Sequence, residues 1–192
     1  MKEWNTYKLS DICDIFGRIG FRGYTSEDLV TDKENGAITL SPTNIVDGRI
    51  NLTKPTYIKW EKYYESPEIM LSVNDIVLSK TATIGRVAHI DELKHPMTLN
   101  PQLVVLKNIK VNPIFLSYFL KGPVFRGLLS SITVGSVIPT LSQKNLGNLL
   151  ITLPPNHIQI KIANILESFD KKIKLNCRIN DNLTSTSFRL AA

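Results

Sequence analysis

A pair of prolines, Pro154 and Pro155, followed by helical periodicity almost to residue 192, limits this chain's fold more than any other feature. Prolines end whatever precedes them, and "NHIQIKIANILESFDKKI" starts an amphipathic helix directly after. Counting from Ile162 in alternating steps of four and three gives Leu166, Phe169, Ile173, Asn176, Asn180, Leu183, Ser187 and Leu190, a heptad seam that turns polar in its second half. A helix over residues 156–190 extends about 50 Å at the α-helical rise. A small domain does not cover that length, so the pattern predicts a partner helix. Asn at a seam position fixes register and oligomeric state at some cost in stability. The competing reading is a helix laid back on its own domain, because such stripes usually face a core.

The rest of the chain, residues 1–153, reads as one domain, and a hydrophobic content of 43% is enough for a real core. "MKEWNTYKLSDICDIFG" has no apolar segment of signal-peptide length, and no stretch has the roughly 18 apolar residues of a membrane span, so a cytoplasmic location is expected. Cys13 and Cys177 lie far apart with no metal-ligand spacing and read as two reduced thiols.

The net charge of +6 is modest, but its distribution is uneven. No Asp or Glu occurs between Glu92 and Glu167, whereas Lys94, Lys107, Lys110, Lys121, Arg126, Lys144 and Lys161 all lie in that interval. Such a segment gives one face of a folded domain a positive potential, which makes nucleic acid the first partner to consider. The alternative is a solvated lysine surface with counter-charges from elsewhere.

Local patterns predict mixed α and β structure. "LSDICDIFG" reads as a helix capped by Ser10 and ending near Gly17. "GAITLSP", "GRINL", "NDIVLSK", "IGRVAHI" and "QLVVLKNI" read as short strands between turn residues. "VNPIFLSYFLKG" has a helix cap at Asn112, proline at the first helical position and a stop at Gly122. A second helix over "VFRGLLSSI", a turn of helix "QKNLG" capped by Ser142, and a strand "NLLITL" precede the Pro-Pro boundary.

Nothing in the sequence has the spacing of a catalytic centre. "GRIGFRG" lacks the G-x-G-x-x-G order, there is no P-loop, and "NPQL" lacks the second proline and aromatic residue of an amino-methyltransferase motif. His89, His95 and His157 have no ligand-spaced companions, and no Ser or Cys stands in a nucleophile elbow. A non-enzymatic reader or scaffold that binds no metal and no cofactor of its own fits best.

Four segments together carry a resemblance: "NDIVLSKTATIGRVAHI", "LNPQLVVLK", "NPIFLSYFL" and residues 135–173. The last runs through Gly135, Ser136, Ile138, Pro139, Leu141, Leu146, Pro154, Pro155, Gln159, Ile162, Leu166, Asp170 and Ile173. In this order the chain resembles the specificity subunit of type I restriction-modification enzymes, although Ile158 stands where that family usually has an acidic residue. The resemblance implies an α+β fold: a β-rich target recognition domain with short helices (residues 1–153), followed by one long coiled-coil-forming helix (154–192). Family members carry two such domains and two helices that pair antiparallel, and each domain reads half of a split DNA target. They are non-catalytic and bring methyltransferase subunits, which use S-adenosylmethionine, and an ATP-dependent restriction subunit to double-stranded DNA. With one domain and one helix, this chain resembles a half-subunit, expected to form a homodimer through Ile162, Leu166, Phe169, Ile173, Asn176, Asn180 and Leu183.

The expected DNA contacts come from three loops. The loop after "NDIVLS" offers Lys80, Thr81, Thr83 and Arg86, "FGRIGFRG" offers Arg18 and Arg22, and "GSVIPTLSQKN" offers Ser136, Gln143 and Lys144. Asn44 in "SPTNI" is a further candidate, although Asn in such a loop commonly serves a turn. Two rival classes are an interaction module that pairs through its helix without DNA, told apart by salt-dependent DNA binding, and a nuclease or methyltransferase fragment, told apart by turnover.

Overall fold

The computed structural model describes residues 4–18, 20–81, 83–133 and 140–190. In chain order its elements are β1 (Asn5–Lys8), α1 (Leu9–Ile12), β2 (Asp14–Phe16), β3 (Leu29–Val30), β4 (Gly36–Leu40), β5 (Ile45–Val46), β6 (Arg49–Ile50), β7 (Tyr57–Lys59) and α2 (Trp60–Tyr64). There follow β8 (Ile76–Ser79), β9 (Val87–His89), β10 (Met97–Leu99), β11 (Leu103–Lys107), α3 (Pro113–Lys121), α4 (Pro123–Thr133), α5 (Gln143–Gly147), β12 (Leu150–Leu153) and α6 (Asn156–Leu190). The expected α+β class with a long terminal helix holds.

One antiparallel sheet of four strands, in the order β2-β11-β8-β9, lies at the centre and is buried on both faces. Alternate side chains of a strand point to opposite faces. Ile76, Leu78, Val104 and Leu106 face one core, built with α1, α3, α4, β12 and the start of α6. Val77, Leu103 and Val105 face a second core, shared with Ile38, Leu40, Met97 and Leu99 of the sheet β10-β4-β7-β3. Double burial explains why "IVLS" and "LVVL" are continuous apolar runs and not alternating ones.

Three local expectations need correction or extension. The helix expected from Leu9 to Gly17 is a single turn, Leu9–Ile12, and Ser10 lies inside it instead of capping it. Asp14–Phe16 instead pairs as a strand with Val105–Lys107, because the central sheet needs an edge partner there. "GRINL" shrinks to the two-residue strand Arg49–Ile50 of a hairpin with Ile45–Val46. The caps read correctly: Asn112 Oδ1 accepts from Phe115 N at 2.8 Å and Ser142 Oγ from Asn145 N at 3.0 Å.

β12 ends at Leu153, and α6 starts at Asn156 after the two prolines. The turn between them is fixed by Gln159, which is 4% exposed. Its Nε2 donates to Pro154 O at 2.8 Å and its Oε1 accepts from Asn112 N at 3.1 Å, tying α6 to the start of α3. Among the described residues no helix is long and apolar enough to cross a membrane.

Candidate nucleic-acid interface

The registers of the central sheet place Phe16, Leu103, Ser79 and Val87 at one end and Asp14, Lys107, Ile76 and His89 at the other. The segments that continue from the first end are residues 17–22, 80–86 and 100–102, and they carry most of the residues expected to contact DNA. α5 joins them there. Leu141 N donates to Lys80 O at 2.8 Å, and Thr81 bridges to Thr140. Gln143 then lies against Gly17, where a Cβ would stand 2.7 Å from Gln143 Nε2 and 3.3 Å from Leu103 O. Glycine at 17 permits this close approach, which brings two sequence-distant loops to one surface.

On this surface Gln143, Lys144 and Thr83 are exposed. Lys80 is half-buried, and burial lowers its pKa from the usual lysine value. Thr81 Oγ1 is buried without a hydrogen-bond partner among the described residues. The 83–86 loop is held rigidly: Ser79 Oγ accepts from Arg86 N at 2.9 Å and donates to Thr83 O, while Gly85 N donates to Ser79 O at 3.1 Å. Arg86 is exposed, and its Nη1 reaches back to the carbonyls of Pro42 at 3.1 Å and Ile45 at 3.4 Å. Ser136 lies outside the described residues.

Two expected contacts are structural instead. Arg18 is 3% exposed; its guanidinium donates to Leu99 O at 3.0 Å, Arg22 O at 3.1 Å and Thr98 Oγ1 at 3.3 Å, and sits 5.4 Å from the centre of the Tyr24 ring. It ties the residues around Gly17 to β10 and is buried by these contacts. Asn44, 8% exposed, accepts from Ser41 N at 2.9 Å and donates to Asn51 O at 3.2 Å, the turn-forming role open to Asn in such a loop. Arg22 is partly exposed and pairs with Glu68 at 3.4 Å.

The acid-free interval also divides. Lys107 is spent internally on Asp75 at 2.9 Å, at the far end of the sheet, and Lys110 Nζ donates to Asp11 O at 2.9 Å. Lys121 and Arg126, which no loop argument picked out, stand in a cleft beside Arg86. Their absence from the sequence-based set is instructive. They occupy a helix end and a helix start, where a lysine and an arginine read as ordinary surface residues.

α6 carries two different faces. Ala163 is 2% exposed, Ile162 packs on the helix-side core, and Asp170 accepts from Tyr118 OH at 2.8 Å and pairs with Arg49 at 3.4 Å. The first seam position, Ile162, is therefore taken up by the chain's own domain, and Leu166 is half-buried beside it. The exposed stripe starts instead at Ile165 (58%) and runs through Phe169 (56%), Ile173 (54%), Asn176, Asn180 and Leu183 (63%).

The family model for the type I restriction modification DNA specificity domain matches residues 1–185. In Methanocaldococcus jannaschii, the type I restriction enzyme MjaVIII specificity subunit is 26% identical over 180 residues, covering 91% of this chain and 41% of that protein. The putative type I restriction enzyme MjaX specificity subunit of the same organism is 31% identical over 180 residues, covering 90% and 40%. The fold resembles the HsdS subunit from Thermoanaerobacter tengcongensis, with a TM-score of 0.64 at 19% identity over 91% of this chain and 39% of that one. It likewise resembles the type I restriction-modification S subunit from M. genitalium, with a TM-score of 0.60 at 17% identity over 90% and 40%. The chain thus spans about two fifths of the length of these relatives. With a match that runs from residue 1 to residue 185 and a fold to accompany it, the chain belongs to the type I restriction-modification DNA specificity domain family.

Proposed function

We propose that this chain is a sequence-specific DNA recognition subunit of a type I restriction-modification system, with residues 1–153 reading one half of a bipartite target. The observation that carries the reading is the meeting of three sequence-distant segments at one end of the central sheet, where Lys80, Thr81, Thr83, Gln143 and Lys144 share a surface. That set has both kinds of group a DNA reader needs. Lysines neutralise phosphates and fix position, while the Gln143 amide and the exposed Thr83 hydroxyl donate to and accept from base edges in the major groove.

Residues 154–192 act as spacer and pairing segment. The exposed stripe of α6 matches the seam of a second copy, so two chains in antiparallel pairing present two reading domains and a symmetric split target. The chain itself is non-catalytic; methyltransferase subunits using S-adenosylmethionine and an ATP-dependent restriction subunit dock on it. The test is co-expression with the methyltransferase subunit encoded beside it, followed by mapping of methylated adenines in the host genome by single-molecule sequencing. A new split palindromic motif is expected. No new methylation with both proteins soluble overturns the reading.

A further inference from the structure

Next to the reading surface lies a cleft of about 740 Å³, bounded by the 83–87 segment, the β5–β6 turn and the junction between α3 and α4. Arg86, Lys121 and Arg126 line it, against a single acid, Asp47. None of the three cations has a carboxylate at ion-pair distance among the described residues.

The cleft is built, not incidental. Asp47 and Gly48 adopt left-handed backbone angles, φ 49° and 73°, as a two-residue hairpin turn between β5 and β6 requires. Gly48 serves a second purpose: a Cβ there would stand 3.0 Å from Lys121 Cε and 3.2 Å from its Nζ, so the bare backbone makes room for the ammonium. Lys121 also lies 5.1 Å from the centre of the Tyr118 ring. The Arg86 guanidinium, bonded to Pro42 O and Ile45 O, locks the 83–86 loop to the same turn.

Charge supplies the direction. Burial lowers the pKa of Lys121, and the field of Asp170 offsets this only in part. An ammonium held in such surroundings without a paired carboxylate gains more from an incoming anion than an exposed lysine does. The described lining offers three cations, the Thr83 hydroxyl and one carboxylate, Asp47, and the cations suit phosphate oxygens.

We infer that this cleft seats the phosphodiester backbone of double-stranded DNA, with Lys121 and Arg126 as phosphate ligands flanking the base-reading surface. The assignment rests on the DNA-reading function proposed above. Thr83 belongs to both surfaces and Arg86 stands three residues from it in the same loop, so a duplex lying on one runs onto the other.

The test is fluorescence anisotropy of the full chain with a labelled random-sequence duplex across a salt series. Lys121→Gln and Arg126→Gln should each weaken binding several-fold and reduce the slope of log K against log salt by about 0.9, the share of one phosphate contact. The double variant should show the sum. Lys33→Gln, exposed and outside both surfaces, should change neither quantity. Because Lys121 is partly buried, thermal midpoints accompany the series, and exposed Arg126 keeps the test decisive if Lys121→Gln unfolds the protein. An unchanged slope in Arg126→Gln and in any folded double variant, with wild-type binding intact, overturns the cleft and leaves the DNA-reading function standing. No salt-dependent binding by the wild-type chain overturns both. Inorganic phosphate that binds the cleft and is not displaced by duplex marks a small-anion site, and also overturns the inference.

Discussion

The two halves of α6 follow the same helical rule and meet different fates. Over residues 156–170 one side of the helix faces its own domain: Gln159 and Ala163 are buried, and Asp170 is bonded to Tyr118 and Arg49, while Ile165 and Phe169 on another side are exposed. Over residues 171–183 every side chain is exposed, including Ile173, Leu175, Ile179 and Leu183. At 100° per residue the domain-facing residues Gln159, Ala163, Leu166 and Asp170 centre about a third of a turn away from the stripe formed by Ile165, Phe169, Asn176 and Leu183. The difference teaches that one helix presents two separate faces, one covered by its own domain and one not. The near half completes a core already present, and the far half carries an apolar seam that its own domain leaves uncovered, the seam assigned to a second helix in the proposed function.

The comparison breaks first in the near half. Ala163→Asp puts a charge into the helix-side core and should cost about 4 kcal/mol of domain stability by denaturant unfolding. Ile173→Asp combined with Leu183→Asp should do the reverse. Domain stability should hold, while self-association measured by sedimentation should weaken at least about 100-fold, because each copy loses two apolar seam contacts worth roughly 1.5 kcal/mol or more. Equal loss of stability in both variants would mean that the far half is not independent of the domain. Gln159→Ala comes next. It leaves Asn112 N and Pro154 O without their partner, so a loss of about 2 kcal/mol is expected, with α6 loosened at its base and its far-half pairing chemistry intact.

These two halves also mark what the sequence could tell. The seam periodicity was legible because it repeats over many turns. Which positions of that seam meet the chain's own domain was not, because the choice depends on where α3 and Tyr118 lie, and no local pattern encodes that. The same holds at the reading surface. Lys80, Thr81, Thr83 and Arg86 were legible as a loop between two strong strand patterns, and α5 was legible through its Ser142 cap. Their meeting across Gly17 is a tertiary fact. Arg18 shows the opposite error: an arginine among glycines reads as a reaching side chain, yet four hydrogen-bond acceptors and the Tyr24 ring hold it. Lys107 and Asp75, 32 positions apart, form a pair that a linear charge profile counts as a free cation.

The smallest expected effect separates the halves by pH. His89 stands in the crevice between the domain and the near half of α6, with Asp91, Glu167, Asp170 and Lys121 around it. Its Nε2 is buried without a hydrogen-bond partner among the described residues, and burial, opposed in part by Asp91, lowers its pKa below the ordinary 6.5. The folded chain therefore keeps the ring neutral where the unfolded chain already binds a proton. Stability contributed by this site is intact above pH 6.5 and declines as pH falls from there through the lowered folded value. Denaturant unfolding of the wild-type chain between pH 7.5 and 5.5 should show that decline, and His89→Phe should reduce it. Self-association through residues 171–183 should stay constant over the same interval, since that segment has no histidine and its seam is apolar or amide. A decline that persists undiminished in His89→Phe would assign the pH response to other groups, and a parallel change in self-association would show that the two halves of α6 are coupled through Asp170, where one ends and the other begins.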